Sequence, residues 1–123
     1  MVDAYNVVAS KYFLSIGAHD LDKISGPISF RLSLGGEAFT AVGGKISTTC
    51  KGDYLYADDK QVLALLDSKD SDMVKLSSET TNLVLIIQGT PGMAVDYRRK
   101  ALVESCERIT GTVGGSFEIF VVE

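Results

Sequence analysis

The stretch Pro27-Ile28-Ser29-Phe30-Arg31-Leu32-Ser33-Leu34-Gly35-Gly36-Glu37-Ala38-Phe39-Thr40-Ala41-Val42-Gly43-Gly44-Lys45-Ile46-Ser47-Thr48-Thr49-Cys50 alternates apolar and polar residues around two Gly-Gly pairs. Gly-Gly suits a two-residue hairpin turn, because such turns need positive φ at their centre and glycine has no Cβ to oppose it. The pattern therefore predicts a three-stranded meander with Gly-Gly turns, in which Leu32 faces Phe39, Phe30 faces Ala41, Ala41 faces Ile46 and Phe39 faces Thr48. One face then gathers Ile28, Phe30, Leu32, Leu34, Phe39, Ala41, Ile46 and Cys50. The other gathers Ser29, Arg31, Ser33, Thr40, Lys45, Ser47 and Thr49. A slip of one residue in either turn would exchange the two sets.

Beyond this stretch, Tyr54-Leu55-Tyr56 fits a short strand. Asp58 then stands ahead of Val62, Leu65 and Leu66, and a carboxylate cap before an apolar stripe predicts one short helix over about 58–67. Asp67 to Ser78 reads as a polar connection. Asn82 to Gln88 is apolar at consecutive positions, as in a central strand covered on both faces. Thr90 as cap and Pro91 as first helical residue open one major helix over about 91–109, with Gly111 as its stop. Phe117 to Val122 fits a closing strand. Upstream, Tyr12, Leu14 and Ile16 alternate and favour a strand over 11–16, while Asp3 to Ala9 suits either helix or strand. The expected fold class is α+β: mainly antiparallel β-sheet, as a sandwich or open barrel, with the long helix packed on it.

The 123 residues, 46% hydrophobic and 23% charged, have the composition of one globular domain over 1–123 and exclude a disordered or repetitive chain. Twelve basic residues against 16 acidic ones give a net charge of −4, with no electrostatic call for nucleic acid or an anionic membrane. The longest apolar run, Leu83 to Ile87, is far short of the roughly 20 residues that span a bilayer. Met1-Val2-Asp3-Ala4-Tyr5 lacks the basic start of a secretory signal, so a cytoplasmic location is expected, with Cys50 and Cys106 reduced, separate and buried.

Chemistry is sparse. His19 is the single histidine and sits in Gly17-Ala18-His19-Asp20, which reads as an exposed loop. Neither cysteine has a CxxC partner. Asp67, Asp70 and Asp72 lack the glycine and terminal glutamate of a calcium loop and read as a solvated acidic turn. Gly89-Thr90-Pro91-Gly92 could offer amides to an anion, yet it matches no phosphate-loop motif and reads as a helix cap. No catalytic, cofactor or metal site is expected; any hydroxyl or carboxylate chemistry would fall to Asp53, Asp58 or Tyr56.

The long helix carries two apolar stripes. Val95, Leu102, Cys106 and Ile109 are expected to face the sheet. Met93, Tyr97 and Ala101 form a second stripe, expected to be partly accessible and covered by a partner. Arg31, Thr40 and Lys45, on the polar outer face of the meander, complete the candidate interface. Two readings follow. The first is a non-enzymatic structural or assembly protein that self-associates, as a ring, tube or shell component of a virus or phage particle, its partner itself or other assembly proteins and its location cytoplasmic or virion. The second is a small-molecule-binding or regulatory module with a pocket between the long helix and the sheet.

Overall fold

The computed structural model describes residues 2–65, 69–87 and 92–121. Its elements run α1 (Val2–Tyr12), β1 (Gly17–Asp20), β2 (Ser29–Leu32), β3 (Ala38–Ala41), β4 (Lys45–Thr48), β5 (Tyr54–Ala57), β6 (Val62–Leu65), β7 (Lys69–Asp70), β8 (Leu83–Ile86) and α2 (Val95–Val113), with single 3₁₀ turns at Leu21–Lys23 and Asp72–Val74. The fold is α+β, with mainly antiparallel sheet and two helices. The chain forms two compact units, one of Met1–Ile16 with Leu85–Glu123 and one of Gly17–Val84.

In the Gly17–Val84 unit the Gly43-Gly44 hairpin forms, but its loop holds three residues rather than two. Ala41 pairs with Lys45, Thr40 with Ile46 and Phe39 with Ser47. Gly43 and Gly44 adopt φ of 99° and 83°, and the Gly44 N–H donates to Ala41 O at 3.0 Å. The extra loop residue slips the register by one, and β4 turns over as the period of two requires. Ser47 and Thr49 point inward, while Ile46 is 74% exposed and Cys50 is exposed. The three-stranded meander is likewise replaced: β2 pairs with β5, Phe30 opposite Tyr56 and Leu32 opposite Tyr54, and not with β3.

Four strands in the order β2-β5-β6-β7 form the main sheet of this unit. The β3–β4 ribbon joins it through an Ala41–Ser71 bridge and a Val42 N–H bond to Asp70 O of 2.9 Å. The far end of the ribbon returns to the end of β2, where the Ser33 hydroxyl donates to Thr49 Oγ1 at 2.7 Å. Phe39, Ala41, Leu55, Ala57 and Val62 fill the centre, with Leu65 against them.

The expected helix over 58–67 is a hairpin instead. The Asp58 carboxylate accepts from Lys60 N at 2.8 Å and Gln61 N at 2.9 Å, so the presumed helix cap is an Asx turn. Val62-Leu63-Ala64-Leu65 then runs as β6 between β5 and β7. A short run that is apolar on every residue does not distinguish a buried strand from a helix by periodicity. Leu66 and Asp67 lie outside the described residues. Gln88 and, of the expected cap and anion cradle Gly89-Thr90-Pro91-Gly92, all but Gly92 lie outside them too. β8 is not a central strand: it forms a two-stranded sheet with β1 and is half-buried along its length.

In the other unit, α1 occupies residues expected to be part strand. It ends at Tyr12, and the Leu14 N–H donates back to Ala9 O at 3.0 Å. α2 spans Val95–Val113 rather than 91–109; it passes through Gly111, and its stop is Gly114, at φ 79°, whose N–H donates to Thr110 O at 2.8 Å. The Thr110 and Thr112 hydroxyls donate to Cys106 O and Arg108 O, both at 2.9 Å. The expected closing strand is absent over the described residues 117–121, where Phe117 and Phe120 are exposed. Val8, Tyr12, Leu14 and Ala101 form the centre of this unit, with Ile16, Ile87 and Met93 around them.

Both cysteines are free. Cys50 should react with a maleimide reagent in the native protein well ahead of Cys106, which is half-buried and whose thiol is pushed up by burial and by Glu107. Peptide mapping of the label would show the order; equal rates, or labelling of both only in denaturant, would contradict the slipped β4 register.

Candidate functional site

β1 places a short polar segment where a loop was expected, with Ala18, His19 and Asp20 all buried. His19 has no exposed surface, and its Nε2 is hydrogen-bonded to the hydroxyl of Tyr56 on β5. The two rings meet edge to face, 5.4 Å between centroids at 72°, and the Phe30 ring of β2 also packs on Tyr56, 5.5 Å between centroids. Gly17 makes this approach possible: a Cβ there would run into the Tyr56 hydroxyl and come 3.4 Å from His19 Nε2.

Burial pushes the His19 imidazole down to about 4, so it is neutral at physiological pH. Burial, and then the charge of Asp70, pushes the Tyr56 phenol far above its ordinary range, and burial also raises the Asp70 carboxyl. The pair is an uncharged imidazole and an uncharged phenol. Tyr56 donating to Nε2 leaves the fewest groups unmatched and puts the ring proton on Nδ1, which has no hydrogen-bond partner among the described residues. A histidine held this far below neutrality, with Nε2 committed to a phenol, is a poor general acid or base at neutral pH. Asp20, next in the strand, is spent on structure: its carboxylate accepts from Asp22 N and from the Thr80 hydroxyl, each at 3.0 Å.

The other residues considered from the sequence are also committed. Asp58 holds the Asx turn and accepts from Ser25 N at 2.8 Å, and Asp53 accepts from Cys50 N at 2.8 Å. Arg31 grips the Glu37 carboxylate through bonds of 3.0 and 2.5 Å; Arg31 and the Ser33 hydroxyl hold that carboxyl down at about 2. Thr40 is half-buried opposite Ile46, and Lys45 is exposed at the hairpin. Among Met93, Tyr97 and Ala101, Ala101 is fully buried and Met93 packs with it against α1. Tyr97 keeps 42% of its surface, yet its hydroxyl donates to Tyr12 O at 2.5 Å and its ring meets that of Tyr12 edge-on. The cover that this stripe lacked in the sequence is α1 of its own unit. Arg31, Thr40 and Lys45 lie in the Gly17–Val84 unit, and Met93, Tyr97 and Ala101 in the other.

His19 was missed as a site because β1 has only four residues, too few to show a period, and begins with a glycine that reads as a turn. The one hint in the sequence was Tyr54-Leu55-Tyr56, which put a phenol on a strand with no polar partner yet assigned.

A protein-family model described as B3/4 domain matches residues 1–108. The phenylalanine–tRNA ligase beta subunit of Fusobacterium nucleatum subsp. nucleatum is 29% identical over 83 residues, which cover 68% of this chain and 10% of that protein. The chain thus corresponds to a small part of that relative's length. These matches overturn the structural or assembly role in a virus or phage particle. That reading rested on missing catalytic motifs and on an apolar stripe which α1 covers, and neither observation points to a virion. Among the described residues no helix is long and apolar enough to cross a membrane.

Proposed function

The chain belongs to the B3/4 domain family, and on that premise we propose that it is a tRNA-ligase-type accessory module that binds the aminoacyl end of a tRNA and performs no bond-breaking step itself. The observation that carries this reading is the family match across residues 1–108, together with the likeness to a tRNA ligase subunit. Two features of the chain shape it. A net charge of −4 does not suit tracking along a tRNA backbone, where affinity comes from neutralised phosphates, and so favours contact with a small part of the tRNA. The buried His19–Tyr56 pair is neutral and closed on itself, which speaks against proton transfer by it. A role on tRNA makes the cytoplasm the location we propose.

The test titrates the intact chain against fluorescent tRNA specific for phenylalanine, uncharged and charged, and follows loss of the aminoacyl ester in the same samples. Saturable binding that is tighter for charged tRNA, with the ester decaying at its spontaneous rate, is the expected result. Binding to neither form would overturn the reading. Accelerated loss of the ester would replace the binding module by a hydrolase.

A further inference from the structure

Phe13 is the single non-glycine residue with positive φ among the described residues, at 54°, and its side chain is 92% exposed. It occupies the position just past α1 where the helix closes by the Leu14 to Ala9 bond, a place where glycine is the relaxed choice. A phenylalanine there is unfavourable twice, in its backbone and in an aromatic ring left in water. The ring touches too little of the protein to offset either.

Tyr12, the residue before it, lines a shallow groove along α2 with Arg99, Lys100 and Val103. Glu104 in the same groove is matched by Lys11 at 2.8 Å and Arg108 at 3.6 Å. Arg99 and Lys100 are exposed, and neither forms an ion pair among the described residues. Asp96 and Glu107 share the groove, so the cations act locally and do not make a basic surface.

We propose that Phe13 is a stacking platform for an unpaired base of a bound tRNA, with Arg99 and Lys100 meeting the neighbouring phosphates; this rests on the tRNA reading above. Stacking needs an open aromatic face with cations nearby and tolerates any base. A protein pocket is the less favoured occupant, because an anchor for a protein is ringed by apolar surface that excludes water. The exposed residues that flank Phe13 along the chain, Ser10, Lys11 and Ser15, are polar instead.

The experiment measures fluorescence anisotropy of a labelled tRNA against the intact chain and its Phe13 variants, with thermal melting of each. Phe13→Gly should weaken binding by roughly 5- to 100-fold, the loss of one stacked base, while raising the melting temperature, since glycine relaxes the positive φ. Phe13→Tyr should bind like the parent, and Phe13→Leu should bind as poorly as Phe13→Gly. Undiminished binding by Phe13→Gly overturns the platform and leaves the tRNA reading standing. Parent-like binding by Phe13→Leu also overturns it, since an apolar pocket rather than a stack would then be at work. A parent chain that binds no tRNA overturns both.

Discussion

Acidification from pH 6.5 to pH 4 is expected to remove about 3 kcal/mol of stability through His19 alone, the linkage consequence of an imidazole pushed from 6.5 down to about 4 by burial. In the unfolded chain His19 takes up its proton as the pH falls through 6.5; in the folded protein it does so only near 4. Across that interval the unfolded state binds more protons and is favoured. The penalty is absent above 6.5 and complete below 4. Glu37, held at about 2 by Arg31 and Ser33, loses its contribution only as the pH falls below the ordinary 4.5. Asp70, raised by burial, works in the opposite direction. Between 6.5 and 4.5 the histidine is the destabilising contribution, and Asp70 opposes it. Urea unfolding at a series of pH values should show stability declining through it, and His19→Gln, which keeps a polar partner for Tyr56 but does not titrate, should flatten the decline. A parent protein with constant stability over that window would contradict a neutral, desolvated His19. Against the roughly 5–15 kcal/mol by which small domains are stable, this one group is a large share.

The class of the fold was legible because alternation around Gly-Gly pairs is a strong strand signal, and β3, β4 and the hairpin between them follow it. The register was not, because Gly43-Gly44 serves a two-residue or a three-residue loop equally well and the choice between them turns over every side chain of β4. With Ile46 outside and Ser47 and Thr49 inside, the structure departs from simple apolar burial. The inward polar groups are satisfied: Thr49 joins a chain through Ser33 to Glu37 and Arg31, and Ser47 accepts from Lys69 Nζ at 3.2 Å. Pairing of β2 with β5 is non-local, and nothing in the residues flanking Gly35-Gly36 announces it. Asp58 shows the same ambiguity at closer range: a carboxylate ahead of an apolar run caps a helix or closes an Asx turn by the same bonds to backbone N–H. The candidate site was the least legible part, since a buried neutral histidine is made by its surroundings and β1 carries no period.

The two stripes of α2 were visible in the sequence, but the structure buries one residue of each, Ile109 and Ala101, and leaves Val95 and Tyr97 exposed, and an Asp scan of the helix tests that pattern. Ala101→Asp should destabilise the α1–α2 unit by more than about 3 kcal/mol, because it places an unpaired carboxylate at a fully buried position between Val8, Tyr12 and Leu14. Val95→Asp, on the stripe expected to be buried, should cost less than about 1 kcal/mol, since Val95 is 40% exposed and an acidic residue in the first turn of a helix favours its dipole. Tyr97→Phe falls between, losing about 1 kcal/mol with the hydrogen bond to Tyr12 O. Thermal melts followed by circular dichroism at the helical band give the order. Reversal, with Val95→Asp the more damaging, would mean that α2 turns its other face inward. Ala101 has no side chain beyond Cβ, and this is why α1 can approach there: a small residue at a helix contact lets the backbones come close. The stripe looked unburied in the sequence because one sheet contact could not cover both faces of α2, and the helix over Val2–Tyr12 that covers Ala101 was not foreseen to its full length.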